Sequence, residues 1–187
     1  MPTLEDLEVV IATEGSLPNL VHFLRRPEID RAFVRPLSQR NVSIKERVRS
    51  TYQRGFWLIA QHNGNVVGCR GCKGMVDQEN AILEFSTTAV APGFRHIGLA
   101  TLLLQTAVAI ALARYAPRLM RFDSWSTNAM IERVAQKIGF TKTRAYDDPQ
   151  KRPPGVQSVE YTLDCSRLRV DKEQFMGVFG VAPLPPR

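Results

Sequence analysis

The stretch Val90-Ala91-Pro92-Gly93-Phe94-Arg95-His96-Ile97-Gly98-Leu99-Ala100-Thr101-Leu102-Leu103 decides how this chain is read. The run into Val90 and Ala91 reads as the end of a strand. Pro92-Gly93 breaks it, because proline cannot donate to a ladder and glycine turns without steric cost. A helix starts at about Gly98. The first N–H groups of a helix have no internal partner, and its dipole favours negative charge there. Gly98 removes the side chain that would hold a phosphate away from the backbone, and Ala100 stays small for the same reason. Arg95, Gly98 and Ala100 stand at Arg-x-x-Gly-x-Ala spacing. Strand, tight turn and helix N-terminus together make a diphosphate site. Taken alone, the same residues would equally describe a capped, buried helix. Neither a Gly-Lys-Ser/Thr phosphate loop nor the dinucleotide glycine triad is present.

Working outward, residues 7–12 read as a first strand. Ser16 is placed to cap a helix to about Arg26, with Leu17, Leu20, Val21 and Leu24 on one face and Pro27 ending it. Residues 31–40 read as a polar loop, and Ser43 starts a second helix. The period then changes to that of strands. Residues 56–62 and 66–76 form a hairpin about Asn63-Gly64-Asn65, with Gly68, Gly71 and Gly74 pointing to bulges in its second arm. Residues 81–91 make the fourth strand. A largely apolar helix covers residues 98–114, a strand 119–126, and an Asn128-capped helix runs to about Lys137 with Gly139 as C-cap. Residues 140–146 and 156–165 are the last strands. The expected fold is α/β (α+β), a mixed, mostly antiparallel central sheet flanked by helices in the order βααβββαβαββ. Residues 1–165 form one domain and 166–187 a C-terminal extension or tail, which Phe175, Met176, Val178 and Phe179 could pack.

The chain has 187 residues, 44 % hydrophobic and 23 % charged, the balance of a soluble globular domain. The N-terminus lacks a basic region followed by an apolar run, and the most apolar stretch, 99–113, is too short and polar to span a bilayer. The three cysteines are an odd count, so a disulfide framework is not expected. A cytoplasmic protein with no membrane association is the expectation. The net charge of +7 favours an anionic partner. Nucleic acid is not favoured, because the Arg-rich segment lacks interleaved aromatic residues or a binding motif.

The quoted stretch resembles the acetyl-CoA signature of the GNAT superfamily of N-acetyltransferases, Val-x-Pro-x-x-Arg/Gln-x-x-Gly-x-Gly/Ala, at every position. The segment from Asn128 through Gly139-Phe140 resembles that family's Asn-led helix ending in Gly-Phe, and the element order also agrees. The resemblance implies acetyl-CoA as cosubstrate and no metal. It implies that Thr88 and Val90 bond the pantetheine arm by backbone groups. Arg95, His96, Ile97, Gly98, Leu99 and Ala100 would hold the pyrophosphate, and Asn128 would bind or position the arm. The fourth and fifth strands would splay, with the thioester in the gap. The reaction implied is acetyl transfer to a primary amine, on a small molecule or a protein N-terminus, by direct attack in a ternary complex. A homodimer is a state the family often adopts.

An amine attacks only when unprotonated, so a base is needed. Glu84 is the candidate, six residues before Val90, where some members carry a catalytic glutamate; burial beside Leu83 and Phe85 would raise its pKa. Many members have a tyrosine late in the Asn-led helix that protonates the leaving thiolate, and Ala135 stands at that position. Tyr146, Tyr161 and Ser126 are alternatives, though each reads more simply as structural. The vacancy also keeps open a non-catalytic acyl-CoA-binding or regulatory module. Cys69-x-x-Cys72 is half a zinc pattern with no second half, and reads as two strand thiols. Arg25, Arg26, Arg31, Arg35, Arg40, Lys45, Arg47, Arg49 and Arg54 face only Glu28, Asp30 and Glu46. As one lip of an acceptor site they would repel polyamines and favour a zwitterionic or anionic amine; a solvated face is the plainer reading. Asp147 and Asp148, in the loop before the last strand, could meet an ammonium at the other lip.

Overall fold

Seven strands make one sheet in the order β1-β2-β3-β4-β5-β7-β6. The structure is a computed structural model and describes residues 2–33, 36–149, 153–166 and 168. The strands are β1 (Glu8–Ile11), β2 (Phe56–His62), β3 (Asn65–Asp77), β4 (Ile82–Val90), β5 (Leu119–Trp125), β6 (Thr141–Tyr146) and β7 (Ser158–Asp164). The helices are α1 (Leu17–Arg25), α2 (Pro27–Asp30), α3 (Ile44–Arg54), α4 (Leu99–Tyr115) and α5 (Ala129–Ile138). Every neighbouring pair is antiparallel except β4 and β5, which are parallel. The mixed, mostly antiparallel sheet flanked by helices is the expected architecture.

The two faces of the sheet are fixed by two glycines of β3. A Cβ at Gly71 would meet the Trp57 ring, whose Nε1 donates to the Val48 carbonyl of α3 at 3.0 Å. A Cβ at Gly68 would meet Leu99 and Leu103 of α4. Residues three apart on a strand point to opposite faces, so α3 and α4 lie on opposite sides. The chain therefore needs glycine at 68 for α4 to lie close on the sheet, which brings the start of α4 to the end of β4.

Several boundaries differ from expectation. Pro27 does not simply stop the helical region; it opens α2 at the first helical position, where its missing N–H is no loss. Ser16 precedes α1 but does not cap it, because its hydroxyl donates instead to the Thr13 carbonyl at 2.8 Å. The stretch read as a polar loop contains a 3-10 turn at Leu37–Gln39 that buries Leu37. Ser43, in contrast, makes a full capping box with Glu46, at 3.2 and 3.0 Å, worth about 1 kcal/mol. Of the expected acceptor-lip residues, Arg35 lies outside the described residues, as do Phe175, Met176, Val178 and Phe179 of the expected tail packing.

Candidate active site

The β4–β5 pairing is short. Only Ile82, Leu83 and Glu84 pair, with Leu119, Met120 and Arg121. β4 continues to Val90 and β5 to Trp125 without further pairing to each other. Backbone groups of β4 that point toward β5 past Glu84 therefore have no strand partner, and the sheet opens there into a notch. β4 also bulges on its other side. Arg70 pairs with Thr88 and Cys72 with Phe85, so Ser86 and Thr87 together oppose Gly71.

The turn after β4 leads to α4 through two left-handed residues, His96 at φ 67° and Gly98 at φ 92°. Glycine takes this conformation without cost, whereas histidine is strained in it by about 1 kcal/mol. The first helical bond runs from the Leu102 N–H to the Gly98 carbonyl at 3.0 Å. The N–H groups of Leu99, Ala100 and Thr101 thus precede the ladder, and Gly98 provides no side-chain cap. A Cβ at Gly98 would touch only Leu4, at 3.6 Å, so this end of the helix is open above its backbone. Those uncapped donors fit an anionic phosphate group. Arg95 is tied back, with its Nε donating to the Val90 carbonyl at 3.1 Å. Ile97 is half-buried and Leu99 is buried in the core, so Leu99 can serve a ligand only by its N–H. His96 is exposed.

Asn128 stands at the end of the other arm. Its Oδ1 accepts from the Ile131 N–H and its Nδ2 donates to the Ser124 hydroxyl, both at 3.2 Å. It thus caps α5 and pins that helix to β5. Thr88, Val90, Arg95, Gly98 and Ala100 lie on the β4–α4 arm, and Asn128 lies on the β5–α5 arm.

The electrostatic expectation for Glu84 is overturned. Burial is the largest single influence on its carboxyl and pushes the pKa up. Lys73 and Arg121 together outweigh it, and the net shift is downward. The Lys73 ammonium donates to Oε1, and Arg121 Nη2 donates to Oε2 at 3.2 Å. Glu84 is one member of a charged row across five strands. Lys73 on β3 is followed by Glu84, Arg121 and Glu160, with Arg144 on β6 reaching Glu160 at 3.4 Å. Sequence reading missed this row because its members come from five separate strands.

It also missed Arg70. This residue is 1 % exposed, yet its side chain meets no carboxylate among the described residues. One Nη donates to the Thr88 hydroxyl, while Nε and the other Nη have no hydrogen-bond partner. The guanidinium carbon lies 5.1 Å from the Phe85 ring centroid and 4.8 Å from that of Phe122. It therefore fills the base of the notch between β4 and β5. A charged residue within the buried run Val66–Cys72 was the available signal.

The alternative proton donors are poor acids. Tyr146 is pushed up to about 12 by burial, then by Asp123 and Asp148. Tyr161 is raised by burial and Glu132, and its ring stacks on Phe122 at 5.2 Å. Ala135 is completely buried. Cys69 and Cys72 are buried thiols pushed up to about 12 by burial, which keeps them protonated. Among the described residues, no group of three or more His, Cys, Asp and Glu could hold a metal, and no helix is long and apolar enough to cross a membrane.

The chain belongs to the acetyltransferase (GNAT) family, whose family model matches residues 23–140. None of the curated proteins matches it in sequence. Solved structures do match in fold. The yncA acetyltransferase of Salmonella typhimurium, solved with its cofactor acetyl-CoA, is 19 % identical with a TM-score of 0.65, covering 88 % of this chain and 97 % of its own. An N-acetyltransferase from Staphylococcus aureus Mu50 is 20 % identical with a TM-score of 0.64, covering 84 % and 98 %. The ribosomal-protein-S18-alanine N-acetyltransferase of Escherichia coli is 15 % identical with a TM-score of 0.64, covering 88 % and 97 %.

Proposed function

We propose that the protein transfers an acetyl group from acetyl-CoA to a primary amine by direct attack within a ternary complex. The observation that supports this best is the opening of the β4–β5 notch beside the uncapped start of α4. The pyrophosphate would rest on the N–H groups of Leu99, Ala100 and Thr101 with Arg95 alongside. The amides of the pantetheine arm would take the unpartnered backbone groups of β4 near Thr88 and Val90, as an added strand would. Leu99 serves by its N–H alone, and Asn128 serves by holding α5 against β5. The acceptor amine would approach between the α1–α3 segment and the β6–β7 loop. The basic excess on the first lip favours an amine that also carries negative charge, or an acidic protein N-terminus. Within that segment Arg26 lies over the Phe23 ring and Arg40 over the Phe33 ring.

Glu84 in its ion pairs stays ionised and accepts a proton only weakly at neutral pH. We assign it chiefly to holding Lys73 and Arg121 at the last rung before the notch, with the amine's proton leaving through water.

Calorimetry with CoA and turnover with a panel of amines test the reading. Arg95→Glu should weaken CoA binding tenfold or more, since about 1.4 kcal/mol is a factor of ten. Unaltered affinity would remove the turn from the cofactor site. Tight CoA binding by the wild type with no turnover on any amine would instead favour a binding module.

A further inference from the structure

Arg70 is a cation enclosed without an anion among the described residues. Burial lowers its pKa to about 9, which still leaves it protonated at neutral pH. Among the described residues, the ionisable groups that act on it are Cys72 and Cys69. Both thiols are neutral and give no counter-charge. Glu84, the nearest carboxylate along β4, points to the opposite face of the sheet, because its neighbour Phe85 packs on Arg70. Phe140, which follows α5 and donates its N–H to the Ala135 carbonyl, packs on the same Phe85 and Phe122 rings and brings no charge. A buried charge with unused donors is costly, and such groups are retained where something other than the fold supplies the partner.

We propose that Arg70 is the cation that receives the negative charge expelled with the CoA sulfur. The inference rests on the acetyl-transfer reading above, which puts the thioester in the notch that the guanidinium fills from below. In the reaction the amine nitrogen attacks the thioester carbon, a C–N bond forms, and the carbonyl π pair moves to oxygen. The amine's extra proton passes to water. When the pair returns, the C–S bond breaks and its electrons stay on sulfur. The amide departs neutral, and the sulfur is left as a thiolate in the notch over Arg70, whose guanidinium is enclosed between Phe85 and Phe122 and acts on the sulfur by its charge. The carbonyl oxygen has the unpartnered backbone N–H groups of β4 available. The thiolate is a full anion in apolar surroundings, and Arg70 is the full cation beside it. No proton donor is then required at position 135, since the thiolate can be protonated by water after release.

The test needs no acceptor. CoA is bound to the protein, and its thiolate is titrated by ultraviolet absorbance for the wild type, Arg70→Met and Arg70→Lys, with thermal melting as the folding control. An apolar replacement of an unpaired buried cation should raise Tm by several degrees, so loss of fold will not mask the result. In the wild type the bound thiol should titrate at least one unit below its free value of ~8.5. In Arg70→Met it should titrate at or above that value, with Arg70→Lys in between. CoA bound equally by all three with one common thiol pKa would overturn the assignment, even if Arg70→Met turned over more slowly, because the arginine would then serve the carbonyl oxygen or packing. Failure of the wild type to bind CoA would instead bring down the acetyl-transfer reading, and this one with it.

Discussion

Two charged clusters flank the base of the same notch, and they are built in opposite ways. On one face Glu84 is a carboxylate with two cations, continued sideways through Arg121 to Glu160 and Arg144. On the other face Arg70 is a cation that, among the described residues, has no carboxylate and two unused donor nitrogens. The first cluster is complete without a ligand, so its job can be structural. The second is incomplete, and its deficiency lies where the reacting group would sit. In this sheet, satisfaction separates the two roles better than residue type does. Glutamate in a catalytic-looking position is committed elsewhere, and arginine in a structural-looking strand is not.

If the contrast is right, the largest effect on stability should come from Arg70, and it should be a gain. Arg70→Met removes an unpaired buried charge and puts a polarizable, apolar chain between Phe85 and Phe122. A rise of about 2 kcal/mol is expected, or ~4–8 °C in Tm. The pH dependence has a definite sign. The folded pKa of Arg70, about 9, lies well below its ordinary value. The penalty is thus fully present at neutral pH and is relieved as pH rises from about 9, because the unfolded chain then holds more protons than the folded one. The gap between variant and wild type should narrow in that range. A variant less stable than wild type at pH 7 would break the comparison.

Glu84→Gln should act in the reverse direction and by less. It strands Lys73 and Arg121, whose side chains are 31 % and 33 % exposed and therefore partly screened. A loss of about 1–2 kcal/mol is expected, or ~2–8 °C in Tm. Because the folded pKa of Glu84 is lowered, this contribution is present above the unfolded value of ~4.3 and disappears as pH falls through the folded one. Turnover should fall less than tenfold, whereas loss of a general base would cost ~10²–10⁴. A loss in that higher range would restore Glu84 to the chemistry.

The architecture was legible because it is written in local signals. The strand-to-turn switch at Pro92, the left-handed glycines at 98 and 139, and the Asn128 cap each work within a few residues. Reading of the site stopped where neighbours across strands decide the outcome. That Glu84 is half-buried could be inferred from Leu83 and Phe85, but the net direction of its pKa shift is set by Lys73, eleven positions earlier, and Arg121, thirty-seven later. Arg70 was passed over for the same reason. Its meaning comes from Phe85, Thr88 and Phe122, which only the folded sheet brings around it. Ser16 shows the limit at short range too, since its hydroxyl has a competing carbonyl, Thr13, that the capping pattern does not display.

The smallest effect is the sharpest measure of whether Arg70 is short of partners. The Thr88 hydroxyl is the one acceptor its guanidinium has among the described residues. Thr88→Val keeps the shape of the side chain and removes that acceptor. In the wild type this should cost about 1–2 kcal/mol, because a buried charged donor is left with nothing. In the Arg70→Met background the same change should cost close to zero, as no donor remains to be stranded. The four melting curves of this double-mutant cycle give a coupling energy of about 1 kcal/mol or more if the cation depends on the threonine. Equal costs in both backgrounds would mean that the guanidinium is satisfied by other means, and the difference between the two faces of the notch would then be one of geometry alone.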